Sequence, residues 1–174
     1  MTYLLLLISL FLSPNMCDSA ADEFKFRGTR TEVHQFQVCG QVYVESILQG
    51  VPPALVLATT KRESGFKNYL VSSAGAKGPL QVTSYWCKEH LDECNKVEAG
   101  VRALRLLRTC KTIDWDHLVC KRKLKTPKSW SKVLCHYNSG NKCYASSRRY
   151  ARGVLRDRSR LKRRHKKKCG SPLR

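Results

Sequence analysis

In the stretch ESGFKNYLVSSAGAKGPLQ, residues 63–81, Glu63 is the only acid, and the next carboxylate along the chain is Glu89. The formal net charge is +20, so an isolated carboxyl here is a candidate for proton transfer if its surroundings hold it neutral. The local pattern gives two reasons to expect that. Glu63 follows Thr59 by four residues, Val56 by seven and Leu55 by eight, so on a helix it shares the face those residues turn to the core. It also falls in the last turn of that helix, where unpaired carbonyls disfavour another negative charge. Each unit of the resulting pKa shift is worth about 1.4 kcal/mol. Lys61 and Arg62 oppose the shift, but adjacent helical positions point sideways. The plain alternative is a helix-end glutamate paired with a surface lysine.

A second grouping with chemical potential is CKEHLDEC, residues 87–94, in which Cys87, His90 and Cys94 could approach a zinc ion. No fourth ligand is pointed to, and an oxidising compartment favours a Cys87–Cys94 bridge, so neither a metal nor a cofactor is expected. The five histidines are scattered and offer no Ser-His or Cys-His pair.

The oxidising compartment is itself an inference. Tyr3 to Leu12 form an apolar run, followed by Ser13, Pro14 and small residues up to Ala21. That is the pattern of a secretory leader cleaved before Asp22, although no Lys or Arg precedes the run. A membrane span needs roughly 20 apolar residues, more than this run holds. Loss of residues 1–21 would remove Asp18 and Cys17, move the formal charge from +20 to +21, and leave an even set of cysteines at 39, 87, 94, 110, 120, 135, 143 and 169. Short loops favour Cys87–Cys94, Cys110–Cys120 and Cys135–Cys143 among the many pairings possible. The expected organisation is a leader at 1–21, one domain at 22–161 and a basic tail at 162–174.

The elements that must position Glu63 read as helices. Val33, Phe36, Tyr43 or Val44, and Ile47 recur at helical steps in residues 31–48, with Gly50 as the stop. Pro52 and Pro53 suit the first turn of a helix at 54–64, and Gly65 suits a left-handed cap. Residues 66–83 read as a long loop with a short extended piece at 80–83. Helices are expected at 84–92, 96–109, 129–139 and 146–161, with no alternating strand series.

Five segments carry a resemblance. ES at 63–64, SSAGAKGPLQV at 72–82, KVEAGVRAL at 96–104, YNSG at 137–140 and YARGV at 150–154 stand in the order and rough spacing of the lytic transglycosylase catalytic domain. Over roughly residues 50–155 the chain resembles that family. The resemblance implies a mainly α, single lysozyme-like domain with a long substrate-binding loop and little or no β-structure. It also implies a peptidoglycan substrate cut between N-acetylmuramic acid and N-acetylglucosamine. Glu63 matches the family's single catalytic acid. Ser72 and Gln81 match the loop positions that bind the sugar ring and its acetamido group, Tyr137 and Asn138 the pair flanking the carboxyl, and Tyr150 the later tyrosine of the cleft. Gln81 could instead only tie down the loop, and either tyrosine could be a core aromatic with its hydroxyl at the surface. The sequence departs from the family pattern at Lys96 and Val97, where an Asn-Ile pair is common, with Asn95 one place early, and at Pro79-Leu80, where Leu-Met is common.

Hydrolysis generally requires a second carboxylate, about 5 to 5.5 Å from the acid in retaining enzymes or about 6.5 to 9.5 Å in inverting ones. With none close in sequence, capture by the sugar's own 6-hydroxyl is favoured, giving a 1,6-anhydro product. A goose-type-lysozyme-like hydrolase remains the alternative if Glu89, Asp92 or Glu93 folds back. The cation run at 148–168 has one acid, Asp157, and its second half reads as mobile. It suits anionic envelope polymers, or is a solvated tail with no dedicated partner. Nucleic-acid binding is the competing class, but no recognisable motif supports it. The partner expected is the peptidoglycan glycan strand, and the protein is expected to be a monomer.

Overall fold

The structure is a computed structural model that describes residues 16–26, 29–87, 91, 93–140 and 142–169. Among these residues are six helices and one hairpin: α1 (Met16–Phe24), α2 (Thr29–Leu48), α3 (Pro53–Glu63), α4 (Lys96–Thr109), β1 (Cys110–Asp114), β2 (Val119–Lys123), α5 (Trp130–Ser139) and α6 (Ala145–Cys169). The fold is mainly helical, as expected.

α3 is the centre of the core. Ala54 through Thr60 are all buried, and the hydroxyls of Thr59 and Thr60 donate to the carbonyls of Leu55 and Val56 at 3.0 Å, which satisfies two polar groups that no water reaches. α2 and α6 pack against it, and α5 lies between α4 and α6. Pro53 opens α3, where a missing amide has no cost, and Gly65 at φ 61° closes it. Asn95 caps α4, accepting from the amides of Val97 and Glu98, so its early placement in the motif starts this helix.

Several expectations are corrected. α2 has the predicted extent, but Val33, Val44 and Ile47 are exposed; Val38, Cys39, Val42 and Ser46 are the buried residues. The Cys17–Cys39 disulfide turns that face inward, onto α1. Of the helix expected at 84–92, the described residues hold a single 3-10 turn, Ser84–Trp86, and Cys87 is bridged to Cys94; residues 88–90 and 92 lie outside the described residues. The hairpin β1–β2 was not anticipated; Cys110–Cys120 ties its strands, and the Asp114 carboxylate receives the amides of Asp116 and His117 in the turn. With Cys135–Cys143, the three short-loop pairings all form.

The leader boundary expected after residue 21 falls inside α1, whose Cys17, Ser19, Ala20 and Phe24 are buried. The apolar run at 3–12 lies outside the described residues. Nor do residues 162–169 form a mobile tail: they continue α6, because α1 supplies acids to hold them. Arg164 pairs with Glu23 at 3.0 Å and Lys168 with Asp22 at 2.5 Å, while His165 contacts the Ser19 hydroxyl. Cys169, which an even count would have paired, is a free thiol.

Candidate active site

Glu63 sits at the end of α3, partly buried, and its Oε1 accepts a hydrogen bond from the Tyr150 hydroxyl of α6. Burial pushes the carboxyl up to about 7 from 4.5, while the Tyr150 bond pulls the other way. At neutral pH much of it is therefore the acid form. Burial, reinforced by the nearby Glu63 charge, also raises Tyr150 and Tyr137 well above the usual phenol range. Both phenols stay protonated and act as donors. The Tyr137 hydroxyl donates to the Leu80 carbonyl at 2.7 Å, so it braces the loop rather than the acid.

Two further contacts keep α6 aligned with α3. Arg62 Nε donates to the buried Asp157 carboxylate at 2.7 Å, which directs this cation away from its neighbour Glu63. Gly153 makes room for it, since a Cβ there would lie 2.9 Å from the guanidinium carbon.

The loop 70–82 is largely self-bonded. Gly78 N donates to the Leu70 carbonyl and Ser72 N to that of Ala76, and Lys77 pairs with Val71 and with Val82 in isolated bridges. Ser64 fastens the loop to the helix that carries Glu63, its hydroxyl donating to the Pro79 carbonyl at 2.8 Å. Leu80 is fully buried against α4, where a Cβ on Gly100 would fall 2.6 Å from it. Gln81 adopts a left-handed backbone, φ 48°, which costs of order 1 kcal/mol. Its side-chain amide donates to the Leu70 and Gly78 carbonyls at 3.0 Å each.

Of the predicted site residues, Glu63, Tyr137 and Tyr150 are therefore brought together. Ser72 and Gln81 lie on the braced loop, with Gln81 tying it down and Ser72 Oγ accepting from the Ala76 amide at 3.0 Å. Asn138 is exposed on α5, and its side chain has no hydrogen-bond partner among the described residues. Arg62 with Asp157, Gly100 with Leu80, and the Ser64 brace were missed as positioning contacts. The sequence shows only residue types there, and each contact joins distant segments.

The pattern of the transglycosylase SLT domain matches residues 45–158, well over half the chain. The chain belongs to this family. No curated protein and no solved structure matches it. The SLT match runs from the end of α2 into α6. It takes in Glu63, Tyr150 and the Arg62–Asp157 pair, and stops before the last turns of α6. An SLT domain is the catalytic domain of lytic transglycosylases in the lysozyme-like superfamily, and it acts on peptidoglycan. The disulfides of this SLT domain are compatible with an exported protein, and among the described residues no helix is long and apolar enough to cross a membrane.

Proposed function

We propose that the protein is a peptidoglycan lytic transglycosylase that cleaves the β-1,4 bond between N-acetylmuramic acid and N-acetylglucosamine and leaves 1,6-anhydro-muramic ends. Glu63 protonates the glycosidic oxygen, which departs as the 4-hydroxyl of N-acetylglucosamine. Its carboxylate then takes the proton from the muramic 6-hydroxyl as that oxygen closes on C1. The carboxyl ends the cycle protonated, and no water is consumed. Tyr150 holds the carboxyl in position and stabilises its ionised form during the interval between the two transfers.

The observation that carries this reading is the carboxyl itself: a partly buried acid with a pKa of about 7, whose shift is governed by burial and one phenol, with no second acid contributing among the described residues. Glu93 is exposed, and Glu89 and Asp92 lie outside the described residues. Ser72, Gln81 and Asn138 are assigned to the sugar, with Gln81 shaping the loop as well as facing the acetamido group. The protein works in the periplasm or outside the cell.

Mass spectrometry of muropeptides released from purified sacculi tests the product. Anhydro ends are expected; hydrated reducing ends would replace this reading with that of a muramidase.

A further inference from the structure

α6 carries twelve Lys and Arg residues against one acid, Asp157, and that acid is taken by Arg62. Arg152, Arg156, Arg160, Arg163 and Lys167 follow one another at steps of four, four, three and four, so they form a single stripe. At 1.5 Å per residue the stripe is about 22 Å long. All five are exposed, on the side away from buried Val154 and Leu161, and none has an ion pair among the described residues. Like charges at such spacings destabilise a helix, so the stripe works against the element that carries it. Beside it, between α6 and α1, lies an open depression of about 730 Å³ lined by Arg160, Arg163, Arg164, Lys167, Lys168 and Glu23. Glu23 is held by Arg164, which leaves the depression strongly cationic.

We propose that this face binds a flexible phosphodiester polymer of the cell envelope, a polyol-phosphate chain, and so directs the enzyme to glycan strands that carry one. Arginine forks match phosphate oxygens in pairs, which suits the arginine-rich stripe. A lipid surface is the poorer fit, because the exposed side of α6 offers no large apolar side chain to insert. Duplex DNA is the poorer fit for location: the disulfides are compatible with export, and the SLT domain acts on the cell wall. Single-stranded nucleic acid calls for stacking aromatics, and the one aromatic ring of α6 apart from His165 is Tyr150, turned to Glu63. A chain of phosphates without bases meets each constraint. Only the polymer's attachment to glycan rests on the function proposed above.

The test uses the full chain with Glu63→Gln, so that binding is read without cleavage. It is titrated with soluble poly(glycerol phosphate) and compared with the same chain carrying Arg156→Gln, Arg160→Gln, Arg163→Gln and Lys167→Gln. The expected result is binding that weakens with salt and drops by about tenfold or more in the glutamine variant. Thermal unfolding should be unchanged or later in that variant, since repulsion has been removed. A companion with Arg→Lys at positions 156, 160 and 163 keeps the charge but loses the forks, and should bind more weakly than the parent and more tightly than the glutamine variant. Equal affinity for the glutamine variant overturns the proposal. So does tighter binding to duplex DNA or to anionic vesicles at the same salt, which would assign the face to nucleic acid or to membrane. A failed muropeptide result with polymer binding intact would change the reaction and leave this face as described.

Discussion

The Tyr150 hydroxyl donates to Oε1 of Glu63 across 87 positions of sequence, joining the end of the central helix to the start of the last one. Because the phenol favours the ionised carboxyl while burial disfavours it, the two residues set the acidity of the site against each other.

The proton-donating form of Glu63 is depleted above its pKa of about 7, so turnover should fall on the alkaline side of that value. Tyr150→Phe removes the opposing hydrogen bond and should move this limb to higher pH. A charge-assisted bond is worth about 1.5 to 3 kcal/mol, so kcat should drop by roughly 10- to 100-fold. An unmoved limb in a pH–rate series with Tyr150→Phe would show that the phenol does not govern the acid.

Glu63→Gln should lower wall clearance by roughly 10²- to 10⁴-fold. It should also stabilise the protein at high pH. The folded chain holds this proton up to about pH 7 and the unfolded one only to about 4.5, so wild-type stability declines as pH rises between those values. The ionised form above pH 7 costs of order 3 kcal/mol. Urea denaturation at pH 8 should favour the glutamine chain, and the difference should vanish near pH 4.

Gly100→Ala should destabilise by about 1 to 3 kcal/mol, because the added Cβ meets the buried Leu80 side chain at 2.6 Å. Leu80 also carries the carbonyl that receives Tyr137, so KM should rise along with the loss of stability. Leu80→Ala in the same chain should recover part of what the clash takes away. Strictly additive losses in a double-mutant cycle would show that the two do not meet.

Cys17→Ser should cost about 3 kcal/mol by opening the Cys17–Cys39 loop. A chain beginning at Asp22 should lose at least as much, since buried Ser19 and Ala20 go with it. Equal melting temperatures for the Asp22 chain and one retaining residue 16 onward would mean that α1 adds nothing to the core.

What sequence could reveal divides by range. Glu63 was legible because Leu55, Val56 and Thr59 are close along one helix, and Gly65 because only a left-handed stop fits there. The three short disulfides were legible for the same local reason. Cys17–Cys39 was hidden by an apolar run that reads as a leader, and the order of residues 162–169 by their charge, since the compensating acids lie in α1 at the opposite end. The exposed side of α2 shows the limit of periodicity: Val33 and Ile47 keep helical spacing, yet the disulfide decides which face turns inward.

The acid and its phenol sit on different helices, α3 and α6, and α1 clasps the far end of α6 through Glu23 and Asp22. A fragment that stops before residue 150 therefore carries Glu63 without its partner, with the pull of burial toward the protonated form left unopposed.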